Sequence, residues 1–593
     1  MNNKIKYIVC TSLLLASPMV LKAQQEGDYN ESVVVKGTYR PVIEQASKLT
    51  FPPRITDSLG SIGHTFNYSI SPSRLRTHYE PTRIKAARIK GEPATRLYNN
   101  YIRIGFGNYW TPLADLYWSS TRDQKKTYGV RMNHLSSWGT IPEYGPNHFG
   151  NTGLMLFGKY IVKEKLQLSA DLSYEHDHNL YYGFTDNTLR NATGLQRDDI
   201  AISDYRASYN VAQCNVGIRN MQLDPNRFGY AANVHIGDLW SVWGQNEFNA
   251  NINGDVHYGF NIKNQYKGVA YLHLEWDHYD NHTSGGTMPL GYLATAAADT
   301  VHNNLVKVNP YVDFMFRGLQ FRTGLNIGWD ARAHQLVGVP EFGIYPDITV
   351  SKKLMKDNLV LSLAAVGGLD ANSLNAMRRI NPYIAPSVYG GPATSHYDFI
   401  GHARWTLSKK LEANAEVSYS LLRNDITFYI DPDYQLNNVF SPLNLDYNRL
   451  TAGADIAFVN DEMITLRIGG HYYHYSLQGD NNQVDFAPYR PDWDAYLRAD
   501  VNYMDRWFFH LEGELLGHMQ GAALDFTTMS IAASGTMPMR YGIAAEVEYR
   551  HNRALSFFLR MDNLAFQRYM LWENYPSQRA LFLAGITYTI PHK

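Results

Sequence analysis

The stretch "LQLSADLSYEHDH", residues 166–178, reads in steps of two. Leu166, Leu168, Ala170, Leu172 and Tyr174 alternate with Gln167, Ser169, Asp171, Ser173 and Glu175. A period of two sends successive side chains to opposite faces of an extended strand. One face here is aliphatic and ends in an aromatic ring; the other carries charges and amides. The pattern recurs in "LEANAEVSYS" (411–420), "AYLRADVNY" (495–503) and "IAAEVEYR" (543–550).

A water-soluble sandwich also alternates, so run length and connections decide. The alternating runs span roughly 9–13 residues, the reach of a tilted membrane-spanning strand rather than the usual strand of about 5–6. Joins alternate between tight ones (162–165, 353–358, 409–410, 505–506, 551–553) and long ones rich in Gly, Pro, Asn and aromatics (176–203, 282–304, 371–395, 425–446, 478–491). About 22 such strands fit between Leu97 and the C-terminus, an even number with both chain ends on the tight-turn side. The expected fold is therefore all-β: a transmembrane antiparallel β-barrel over 97–593, in the outer membrane of a Gram-negative-type envelope. Barrels of this size have a wide lumen that needs filling.

Composition agrees. Only 18% of residues are charged, against roughly 25% in soluble domains. The chain holds 43 tyrosines, and its mean hydropathy is −0.35. Alternation hides an apolar face from any hydropathy average. Residues 1–23 read as a signal peptide, with Lys4 and Lys6 before an apolar run and Leu21-Lys22-Ala23 before cleavage. Removing it takes three lysines and no acid, lowering the formal net charge from −1 to −4. That near-neutral balance argues against a nucleic-acid partner. Cys214 is the one cysteine left, so no intramolecular disulfide is expected.

Both ends carry a resemblance. "EYRHNRALSFFLRMDNLAFQRYMLWENYPSQRALFLAGITYTI" (548–590) resembles the last three strands of a TonB-dependent receptor barrel. "ESVVVKGTYRP" (31–41) is similar to the TonB box of those receptors. The resemblance implies uptake of a solute across the outer membrane. It also implies a TonB-type energy-transducing partner that pairs with Glu31, Ser32, Val33, Val34, Val35, Lys36 and Gly37. Leu583, Gly585, Tyr588 and Ile590 fall at the spacing of a C-terminal barrel-assembly signal, with Ile590 where an aromatic is usual. The departure is large: receptors of this family carry a plug of over a hundred residues, whereas 24–96 supplies 73.

That segment is basic and proline-punctuated. Arg74, Arg76, Arg83, Lys85, Arg88, Lys90 and Arg96 stand against Glu80 and Glu92. It suits an extended chain more than a folded plug. We expect it to thread the lumen toward inward acids such as Glu175, Glu275, Glu412, Glu416, Glu546 and Glu548, unless it is a solvated tail and the long loops fill the lumen instead. Two other readings stay open: a plugless subunit of an envelope assembly holding lipoproteins, and a passive diffusion pore. Outer-membrane lipids are partners in every case.

Neither cofactor nor catalytic site is expected. His176-Asp177-His178 and His471 with His474 lack three convergent ligands. "GDNNQVD" (479–485) lacks the bidentate Glu of a calcium loop. Scattered serines and histidines single out no nucleophile. Tyr109, Trp110, Trp138, Trp240, Trp243, Trp507 and Trp572 read as interfacial girdle.

Overall fold

A computed structural model describes residues 99–590 apart from 121–122, 124, 222–226, 263–265, 284–289, 291–298, 334–340, 461–462, 479–483, 526–527 and 529. The expected signal peptide and the segment 24–96 lie outside the described residues. Of the 24 strands in the main sheet, 22 close into an antiparallel barrel. The other two, Met519–Asp525 and Ser530–Met537, form a ribbon in one long loop. Sequence reading missed this ribbon.

The barrel closes where Asn100–Gly107 pairs with Leu581–Tyr588 and Gly105 stands opposite Gly585. A Cβ on Gly585 would lie 2.2 Å from the Ile104 carbonyl oxygen and 2.5 Å from the Phe558 ring. Glycine at this seam lets that aromatic lie against bare backbone, the device that lends a glycine rung the packing its missing side chain cannot give. Arg103 then stacks 3.8 Å above Phe558 and binds Glu546 at 2.8 Å. Of the assembly-signal residues, Leu583 is fully buried on the inner face beside Leu113, Leu135 and Phe558. Tyr588 and Ile590 face out, with Phe582 and Ile586 completing that outward row. Ile590 is tied to Asn100 through both its N–H and its carbonyl.

The outer wall is apolar. Leu168, Leu172, Val216, Ile252, Leu363 and Ile456 are all exposed on it. So continuous an apolar surface on a closed barrel belongs in lipid, since water would penalise every one of those side chains. Strands run from 8 to 21 residues. The longest, Leu411–Ile430 and Phe440–Asn460, exceed what a bilayer needs and extend beyond it at the long-loop end. Where alternation in the sequence alone would begin strands near Leu305, His396 and Tyr447, the ladders begin at Asp299, Gly391 and Phe440. Above the membrane both strand faces are polar or packed, so alternation stops marking them.

The tight-turn end is economical. At 162–165 the Lys165 N–H donates to the Val162 carbonyl at 3.0 Å, and both central residues, Lys163 (φ 49°) and Glu164 (φ 58°), are left-handed. This is the turn hand that matches strand twist. Two joins at the other end, 108–110 and 242–244, are equally short, so the alternation of tight and long is not strict.

Candidate functional site

Loop sequences at the long-loop end carry more aromatic residues than a solvated loop needs: "LYYGF" (180–184), "NPYIAPSV" (381–388), "DPDYQLNNVF" (431–440) and "MLWENYP" (570–576). In the structure these loops pack on one another. Tyr181, Tyr182, Tyr383, Tyr434, Phe440, Trp572 and Tyr575 belong to a single buried cluster. The rings of Tyr383 and Tyr575 stack at 3.5 Å, and Tyr182 meets Tyr575 edge-on at 5.0 Å. Trp572 packs on both Phe428 and Phe440. The contributing loops follow the fifth, thirteenth, fifteenth and twenty-first barrel strands. Loops from points so far apart on the ring share a core only by meeting over the mouth. They form a cap.

Three buried tyrosine hydroxyls in the cap tie one loop to another, which meets the need of a buried polar group for a partner. Tyr181 donates to the Ile384 carbonyl at 2.7 Å and Tyr182 to the Pro576 carbonyl at 2.9 Å. Tyr575 donates to the Asn438 carbonyl, and Asn438 Nδ2 to the Tyr181 carbonyl at 2.8 Å. Trp243 and Trp572 are therefore cap core, which corrects their assignment to the girdle; Trp110, Trp138, Trp240 and Trp507 are exposed.

A short helix, α1 (Asp186–Thr193), caps its own N-terminus with Thr185. A second, α2 (Leu374–Ile380), is clamped at both ends. Ser373 caps it through the Ala376 N–H. The Leu374 and Asn375 N–H groups donate to the Glu247 carboxylate at 2.6 and 3.1 Å. At the other end Arg378 binds Asp177 at 2.9 Å and Arg379 binds Glu175 at 2.5 Å. Acid at the N-terminus and base at the C-terminus both favour the helix dipole. The helix leaves the thirteenth strand yet is held by the fifth and eighth, so it reaches across the opening. Both Arg378 and Asp177 are 4% exposed, so neither charge has water in place of the other.

"HDH" is thus divided by the pleat: Asp177 points inward to Arg378, while His176 and His178 lie on the outer face. His471 points inward to Asp494 at 3.0 Å and His474 lies on the outer face. Among the described residues no three potential ligands converge on a metal.

The inner wall is polar and internally paired. Glu275 accepts from Lys307 at 3.5 Å beside His273, which also meets Asp255 at 2.7 Å. Arg322 forks onto Asp313 at 3.0 and 3.2 Å. Of the six inward acids expected to await the basic segment, Glu175, Glu275, Glu546 and Glu548 have partners from the barrel and its cap. The basic residues Arg74, Arg76, Arg83, Lys85, Arg88, Lys90 and Arg96 lie outside the described residues, as does the Glu31–Gly37 motif.

In the cap, Glu573 accepts from Tyr489 at 3.2 Å and from Ser534. Burial pushes its carboxyl up from the usual range, more than these two hydrogen bonds pull it down. Burial likewise raises Asp431.

No family model matches the chain, and no curated protein matches it in sequence. Solved structures do. The chain is similar to the ferric-catecholate import receptor Fiu of E. coli K12 in its closed form (TM-score 0.59, 10% identity, 84% of this chain and 82% of that one). It is similar to the siderophore receptor PirA of Acinetobacter baumannii (0.61, 10%, 84% and 81%). It is also similar to the ferric enterobactin receptor PfeA of Pseudomonas aeruginosa (0.59, 12%, 84% and 82%). At such identities the likeness is one of fold: a 22-strand barrel.

Proposed function

We propose that this chain is an outer-membrane uptake barrel of the TonB-dependent type, whose outer mouth is covered by its own folded loops. The carrying observation is the 22-strand closed barrel, whose fold is similar to that of a ferric-catecholate import receptor and a siderophore receptor. Its apolar wall supports a membrane location, and the long-loop end is the outer one by the usual orientation of such barrels. In this reading residues 31–37 recruit a TonB-type protein by adding a strand to its sheet edge, and the basic stretch 74–96 lies in the lumen. Transport of a solute then requires the cap to open. The cap supports this reading over a passive pore, because a tyrosine core tied by buried hydrogen bonds is a poor conduit for water and ions.

The test is conductance in planar bilayers, for the full chain and for a variant lacking residues 24–96. Both are expected to stay closed, with openings only when cap residues are truncated. Large steady conductance from the full chain defeats the reading. Orientation is checked separately with a membrane-impermeant maleimide on whole cells: Asp198→Cys in the α1 loop should label and Arg553→Cys in a tight turn should not.

A further inference from the structure

The outward side chains of strand Leu166–Leu180 change character in order along it. Leu168, Ala170 and Leu172 are aliphatic, Tyr174 is the aromatic step, and His176 and His178 follow. Neighbouring strands continue those last rungs. Thr152 and Asn210 flank His176, Gly150 and Ser208 flank His178, and Arg206 stands opposite Leu180. His134 sits across from Thr152, with its Nδ1 2.8 Å from the threonine hydroxyl. Tyr174 donates to Asn210 at 2.7 Å, and His176 Nδ1 lies 2.8 Å from the same oxygen.

The outward rows of the four strands that carry these residues hold no acid, because Glu175 and Asp177 point inward to Arg379 and Arg378. Outward Asp238 on the adjoining strand accepts from Asn246 at 3.0 Å, and Asp204 in the loop accepts from the Ala201 N–H at 2.9 Å. Arg206 is exposed and makes no ion pair among the described residues. Further round the wall the outward histidine is acid-paired, since there His302 faces Asp280 at 3.1 Å.

We propose that His134, His176, His178 and Arg206 form a site for the phosphorylated headgroup of a glycolipid in the outer leaflet. Depth supports it: the site begins one rung beyond an aliphatic-then-tyrosine sequence, which places it level with lipid headgroups. Chemistry supports it too. Imidazole N–H groups and a guanidinium are donors suited to phosphate oxygens, and no outward acid on these four strands opposes an anion. The acyl chains would lie along Leu168, Leu172 and Leu154 beneath. This inference rests on the outer-membrane orientation proposed above.

The experiment is native mass spectrometry of the full-length protein, delipidated in detergent and mixed with a bis-phosphorylated glucosamine-disaccharide lipid or its dephosphorylated form. The phosphorylated lipid should be retained preferentially, and a His176→Gln, His178→Gln, Arg206→Gln variant should lose roughly five- to tenfold of that retention. The variant's closed barrel is checked by its resistance to unfolding in cold detergent gels. Equal retention of both lipids overturns the proposal, as does unchanged retention by a folded variant. Stripping of the lipid by excess inorganic phosphate overturns the lipid assignment in favour of a free anion. If Asp198→Cys fails to label from outside, the orientation itself falls. If it labels and lipid selectivity is absent, only this site falls.

Discussion

The two ends of the barrel solve opposite problems. At the tight-turn end the chain reverses with almost no residues, and non-glycine side chains accept left-handed backbone: Lys163, Glu164, Arg317, Met504 and Asp505. At the other end, loops of up to 25 residues build a second core, two helices and a ribbon. The first end is dictated by the sheet, because closure fixes the distance and twist between neighbouring strands whatever residues connect them. The second is dictated by side chains, because only their packing tells a long loop where to go. Left-handed non-glycine backbone occurs at both ends, as at Tyr109, Trp110 and Tyr489 among the loops, but specificity is concentrated at the second.

The sharpest way to break this contrast is to remove Arg378. An Arg378→Ala change leaves Asp177 buried without its cation and should destabilise the cap by roughly 3–5 kcal/mol. Hydrogen exchange should rise across 373–390 and 570–576 while the barrel strands stay protected. If strand protection falls equally, the cap and the barrel are one cooperative unit and the contrast is lost.

A smaller effect is expected at the opposite end. Replacing Lys163-Glu164 by Asn-Gly puts residues that accept left-handed backbone where the turn demands it. Stability to urea in vesicles should rise by about 1 kcal/mol, with cap exchange unchanged. A loss of stability would mean that those side chains hold the turn by contacts that outweigh the strain.

This contrast also explains what was legible in the sequence. Barrel strands were readable because lipid and lumen impose a period of two: alternation alone begins strands at Lys126, Phe149, Leu319, Leu359, Leu411 and Trp507, where the ladders also begin. The cap was not readable as a site, because its order comes from contacts between loops hundreds of residues apart, such as Tyr182 with Tyr575. One part of it did carry a local signal. "SLNAMRRI" (373–380) has a capping serine and two terminal arginines, the marks of a helix inside a loop. Glu247 and Asp177 carried none, since on a strand they look like any other inward acid. Trp243 and Trp572 were misread for the same reason: a tryptophan at a strand end has one appearance in sequence and two possible surroundings.

The smallest effect concerns acidity within the cap. Burial raises the Glu573 carboxyl above its unfolded value, so the folded cap prefers the neutral acid. Its contribution is thus fully present below the unfolded value of about 4.3 and is lost as pH rises through the raised folded value. The direction is opposite to that of a salt-bridged acid: acidification tightens this loop, and alkalinisation loosens it. Hydrogen exchange across 568–577, corrected for intrinsic rates, should show protection falling as pH climbs from 4.5 to 8 in the native chain. In a Glu573→Gln variant, which keeps an acceptor for Ser534 and Tyr489 without a charge to desolvate, that slope should flatten. An unchanged slope would place the titration elsewhere in the cap, with Asp431, also raised by burial, the next residue to replace.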